Sequence, residues 1–119
     1  MKNYKILILI LLLFNNSAFG ANAWVDEQIN QILVHDDGSE NFSGQVHVTM
    51  MSEMSWIPAC VNTNAYKKIF VLDLSRGAAS AQYSTLLAAK ISGKPVTIQI
   101  NDACINGLAM LRNVSISGQ

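Results

Sequence analysis

The sharpest change of rhythm along the chain falls between residues 78 and 100. Ala79, Tyr83, Leu86, Leu87 and Ile91 recur at three- and four-residue steps, which places them on one side of a helix. Ala81, Ala88, Ala89 and Lys90 add strong helix formers, and Gly77 or Ser80 suits the N-cap. Gly93 can take the left-handed conformation that closes a last turn, and Pro95 stops the helix from continuing. The period then becomes two. Val96, Ile98 and Ile100 alternate with Thr97, Gln99 and Asn101, the pattern of a strand with one buried face. A helix joined so tightly to a strand packs on the sheet that the strand enters.

Residues 27–35 carry Ile29, Ile32, Leu33 and Val34 at a spacing that fits a short helix or a strand. The turn-forming Asp36-Asp37-Gly38-Ser39, followed by the alternation of Val46, Val48 and Met50, favours two strands of a hairpin. Residues 51–64 have no clear period; Pro58 argues against a central strand, and Asn62-Thr63-Asn64 suggests a turn. Residues 67–74 form an apolar run suited to a third, largely buried strand. Residues 101–104 and Asn106-Gly107 mark a second hairpin turn, and residues 108–116 make a fifth strand with Met110, Val114 and Ile116 on one face. The order β-β-β-α-β-β predicts an α+β, mainly β domain. It would be a small OB-like Greek-key barrel, or a five-stranded antiparallel sheet with one helix across it.

The N-terminus reads as a separate segment. Lys2 and Lys5 precede an apolar run over residues 6–14, and Ala21-Asn22-Ala23 offers a small-x-small cleavage site. This is the pattern of a Sec-type signal peptide over residues 1–23, with a mature domain over residues 24–119. The run is about half the roughly 20 apolar residues that a membrane span needs. Loss of two of the eight basic residues and none of the eight acidic ones leaves a net charge of −2, with no electrostatic footprint for nucleic acid. Export, to the periplasm or the medium, places Cys60 and Cys104 in an oxidising compartment. An intramolecular disulfide is the simplest use of such a pair. A metal pair or an intermolecular bridge is the alternative, though no CxxC or clustered histidine accompanies them.

Few residues suggest chemistry. His35 and His47 stand outside any ligand-spaced motif, and the default for His47 is a sheet-surface position. His35-Asp36-Asp37 could hold a cation, but a polar turn uses the same residues for its own hydrogen bonds. Glu53 and Asp73 could form a carboxylate pair only if the fold brought them together. GxSxG, SxxK and phosphate-binding glycine loops are missing, and a small hydrolase is the weakest expectation. Trp56 beside Met50, Met51 and Met54 is either a recognition surface or the cap of a small core. Asn41-Phe42-Ser43 and Asn113-Val114-Ser115 match the glycosylation sequon, meaningful only in a eukaryotic secretory pathway.

Residues 83–86, Tyr-Ser-Thr-Leu, running to Gly93-Lys94-Pro95-Val96-Thr97-Ile98, look like the helix–GxPV–strand junction of the B subunits of AB5 toxins of the subtilase-cytotoxin type. Phe42-Ser43-Gly44 is similar to a motif near that family's N-terminus whose serine contacts sialic acid. The resemblance implies an OB fold, a pentameric ring, glycan binding and a contact at Ser43. The chain departs from the family at Ile100, where an aromatic is usual. The order of tryptophan, turn, cysteine, helix and cysteine is equally similar to short uncharacterised exported bacterial proteins. The expectation is an exported, non-enzymatic binding module without a cofactor, with Ser43 and Trp56 as ligand contacts. Its ligand would be a glycan or a protein. The alternative is a stand-alone accessory protein, an inhibitor or structural factor.

Overall fold

The computed structural model describes residues 22–36 and 44–117. Its strands are β1 (Asn22–Glu27), β2 (Ile29–Val34), β3 (Gln45–Met50), β4 (Ile69–Asp73), β5 (Val96–Ile105) and β6 (Leu108–Ile116), with the helix α1 (Ala79–Ser92) between β4 and β5. The six strands form one mixed sheet in the order β1-β5-β6-β4-β3-β2. All pairs are antiparallel except β4 with β6.

Two sequence expectations are corrected. There are six strands rather than five, because Asn22 and Ala23, counted with the leader, pair alongside Trp24 in β1. The sheet is open rather than a closed barrel, since β1 and β2 are the ends of the hydrogen-bonded order. It is not wholly antiparallel either, because the helical crossover from β4 to β5 lets β6 return parallel to β4. Only Gln28 separates β1 from β2. Glu27 pairs with Val96 at one end of the sheet and Ile29 with Met50 at the other.

Where the periodicity is strong, it holds. Val46, Val48 and Met50 of β3 and Val96, Ile98 and Ile100 of β5 are fully buried. They form the core with Phe70, Leu72, Ala109, Leu111, Leu86 and Ala89. Trp24 completes it from β1, its ring centroid 5.6 Å from that of Phe70 and its Nε1 donating to the Ser52 carbonyl at 2.8 Å. Gly93 closes α1 in the left-handed region (φ 68°), and the Lys94 N–H reaches back to the Ala89 carbonyl at 3.0 Å. The helix is capped by Ala78 rather than Gly77 or Ser80.

The apolar stripe of α1 is narrower than expected. Ala79, Leu86 and Ala89 are buried, whereas Ile91 is 84% exposed. The last strand also turns differently. Leu111, not Met110, joins the core. Ile100 pairs with Leu111 and Gln99 with Asn113, so Arg112 is the extra residue of a β-bulge that resets the alternation before Val114. Residues 101–104, expected in a turn, lie within β5. The turn is Asn106-Gly107 alone, both at positive φ (52° and 79°), as a two-residue hairpin loop requires.

The aperiodic stretch after β3 is tied down by backbone bonds and one disulfide. Met54 N–H donates to the Lys67 carbonyl and Ser55 N–H to the Ala23 carbonyl, both at 2.9 Å. Cys60 is bonded to Cys104 of β5, with the Cα atoms 5.9 Å apart. No helix among the described residues is long and apolar enough to cross a membrane.

Candidate functional site

Register places chemistry on the sheet face away from the core. Leu33 pairs with His47, His47 with Val71, and Val71 with Met110. These four residues form a row across β2, β3, β4 and β6. The next row begins with His35, whose N–H donates to the Gln45 carbonyl at 3.0 Å, and continues from Gln45 to its register partner Asp73. Side chains alternate along each strand, and Val46, Phe70, Leu72, Ala109 and Leu111 turn inward, so both rows face outward.

At one end of these rows, between the start of α1 and the β4–β6 pair, lies an open cavity of about 300 Å³ that the inward-turned Leu72 and Leu111 also line. Its apolar floor includes Val71 and Met110, and its polar groups are Asp73, Arg76, Gln82, Asn101 and Arg112. Local structure aims each of them. The bulge in β6 sets the direction of Arg112, whose carbonyl accepts the Gln82 Nε2 at 2.8 Å. Asp73 ends β4 in a turn in which its Oδ1 accepts Ser75 N–H at 3.0 Å and Ser75 Oγ at 2.6 Å. The Ser75 hydroxyl first, and its backbone N–H next, hold the Asp73 carboxyl below its ordinary range, and Arg76 adds a smaller pull. Two guanidinium groups, one carboxylate and two amides around an apolar floor can hold an oxygen-rich, anionic molecule. Among the described residues, no serine, histidine, cysteine or lysine lines this cavity as a nucleophile or base.

At the other end of the face, the two histidines meet. His35 Nε2 lies 3.2 Å from His47 Nδ1, with the rings edge-on and their centroids 4.3 Å apart. His47 Nε2 faces the Gln45 Oε1 at 3.3 Å, and Gln45 is buried, with 8% exposure. Burial first, and His35 second, lower the His47 pKa to about 4.

The residues singled out from sequence divide three ways. Cys60 and Cys104 are joined, as expected of an exported chain. Ser43, with its sequon partner Asn41, lies outside the described residues. Trp56 is partly exposed in the segment after β3 and does not line the cavity. Met50 and Met54 beside it are buried in the core, whereas Met51 is exposed with Trp56. Asp73 belongs to the cavity, which Glu53 does not line.

Arg76, Arg112, Gln82 and Asn101 carried no motif in the sequence. Only the parallel β4–β6 pair and the bulge gather them. The histidine contact was closer to legible, because a hairpin register opposing Leu33 to His47 sets His35 opposite Gln45, diagonal to His47. No family profile, curated protein or solved structure matches the chain.

Proposed function

We propose that this chain is an exported, non-enzymatic binding module that takes an acidic glycan in the cavity between the start of α1 and the β4–β6 pair. The observation that carries this reading is the cavity, whose lining combines Arg76 and Arg112 with a single carboxylate, Asp73, and the amides of Gln82 and Asn101. Paired guanidinium groups suit a sugar carboxylate, and amides suit hydroxyls. The path of the chain also supports it. With β1 and β2 taken as one bent strand, the order becomes 1-2-3-5-4-1, with the helix between strands three and four. That is the path of an OB-type Greek key, whose second and third strands and first loop carry ligands, oligosaccharides among them. Gly44, which follows Ser43 in sequence, directly precedes β3. The Gly44 carbonyl accepts the Leu74 N–H at 3.0 Å, one residue beyond Asp73.

Titration of the folded protein with sialyllactose, monitored by amide NMR, tests this reading. Shifts at Asn101 and Arg112 that vanish in Arg112→Ala, with Ser43→Ala weakened, are the expected result. No shift at millimolar sugar would exclude it. A B-subunit-like protein would also assemble through the free edges of β1 and β2, so light scattering should return a ring, such as a pentamer, rather than a monomer.

A second reading rests on β2. Among the described residues its outer edge pairs with no strand, and Leu33 and Val34 are exposed on it. A stand-alone accessory protein that adds a partner's strand at this edge would leave both apolar residues available for the contact. A monomer that binds no sugar would favour it.

A further inference from the structure

We infer that His35 and His47 form a two-nitrogen chelate for a borderline divalent cation, with Zn²⁺ the ion that its geometry fits. This goes beyond the glycan cavity and does not depend on it. Tetrahedral zinc with imidazole bonds of 2.0–2.1 Å sets its ligand nitrogens about 3.3 Å apart. His35 Nε2 and His47 Nδ1 stand 3.2 Å apart across the β2–β3 hairpin. A square-planar ion with bonds of similar length would need a shorter separation, about 2.9 Å.

The surroundings of His47 suit a ligand. The Gln45 Oε1 lies 3.3 Å from His47 Nε2 and can only accept there, so it selects the tautomer with the proton on Nε2. The lone pair is then on Nδ1, which points at His35. An outer carbonyl that accepts the second ring N–H is the usual way to orient a metal-bound imidazole. Gln45 is held in place by its burial at the foot of β3.

In the absence of metal, the Nε2–H of His35 is the proton shared with that lone pair. On binding, the shared proton is displaced to solvent or to His35 Nδ1, and a tilt of the two rings turns both lone pairs on the ion. Among the described residues no cluster of three or more His, Cys, Asp or Glu is present.

The test is calorimetric titration of the tag-free, disulfide-bonded protein with ZnCl₂ at pH 7.5, with imidazole ¹⁵N spectra recorded alongside. One saturable site is expected, with metal-induced shifts at His47 Nδ1 and His35 Nε2. His35→Ala and His47→Gln should each weaken it by tenfold or more. Gln45→Leu should weaken it by roughly ten- to hundredfold, because it keeps both ligands and releases the tautomer. Circular dichroism identifies any variant that has lost its fold, and the wild-type imidazole spectra decide independently of the variants. Absence of a saturable site in the wild type, zinc shifts at the opposite ring nitrogens, or folded variants that bind as the wild type does would each overturn the inference.

Discussion

The side-chain amide of Gln28 donates to the Gly93 carbonyl at 3.1 Å. The one residue between β1 and β2 is thereby tied to the residue that ends α1. On its other side, the Gln28 carbonyl accepts the Met51 N–H at 3.2 Å. Both ends of the strand order meet at this joint, so the helix stop and the bend of the N-terminal ribbon depend on each other.

Gly93 is the sensitive member of that pair. It sits at φ 68°, and a Cβ added there would meet no atom within 4 Å, so the cost of Gly93→Ala is conformational rather than steric. A loss of about 1–2 kcal/mol is expected, with Gly93→Asn milder because asparagine tolerates the left-handed region. Urea denaturation of the two variants measures both. Equal stability of all three proteins would mean that the turn relaxes to another closure.

The disulfide between Cys60 and Cys104 encloses a sequence separation of 44 residues. Constraining the unfolded chain over such a loop is worth about 4 kcal/mol in the chain-entropy picture, a large share of the roughly 5–15 kcal/mol that a small domain has. The double variant Cys60→Ala/Cys104→Ala should melt well below the oxidised wild type, and reduced wild type should melt with it. Coincident melting curves for the oxidised protein and the double variant would show that the bond adds nothing.

Cleavage after Ala23, the site expected from the sequence, would have a structural consequence. Asn22 pairs with Gln99 in β1, and the buried Ala23 offers its carbonyl to Ser55 N–H at 2.9 Å and to Ser55 Oγ at 3.0 Å. A chain beginning at Trp24 lacks these bonds and should be less stable than one beginning at Asn22, by about 1–3 kcal/mol for two hydrogen bonds. Thermal melts of the two chains decide it, and identical midpoints would show that β1 is held by residues 24–27 alone.

His47 gives stability a pH dependence. Its pKa falls from 6.5 to about 4 on folding, through burial first and His35 second. Between those values the unfolded chain binds a proton that the folded chain refuses. Stability present above pH 6.5 is therefore lost as the pH falls towards 4. Solvent screens a half-buried ring, so the effect is smaller than the shift alone implies. Urea midpoints at pH 7.5, 5.5 and 4.0 should fall less steeply in His47→Gln than in the wild type, and parallel profiles would count against this origin.

Range separates the features legible in the sequence from those that were not. The alternation in β3 and the first half of β5, the switch at Gly93-Lys94-Pro95 and the Asn106-Gly107 turn are set by neighbouring residues, and each is found where the chain implied it. The readings that failed needed partners distant in sequence. Met110 seemed to face the core because Val114 and Ile116 share its parity. The bulge at Arg112 breaks that parity, and only the pairing of β6 with β5 reveals it. Ile91 continues the stripe of α1, but the helix meets the sheet through Leu86 and Ala89, and the next turn lies beyond the core.

The sequence by itself determined the strongly periodic strands and helix, the Asn106-Gly107 turn and the availability of one cysteine pair, because backbone preference and apolar periodicity act over a few residues. Tertiary structure alone decided the strand order, the parallel meeting of β4 with β6, the gathering of Arg76, Arg112 and Asp73 around one cavity, and the contact of His35 with His47. Those depend on which strands exchange hydrogen bonds. That choice is made by burying Trp24, Phe70, Leu86 and Ile98 together in one core, which no stretch of the chain can do alone.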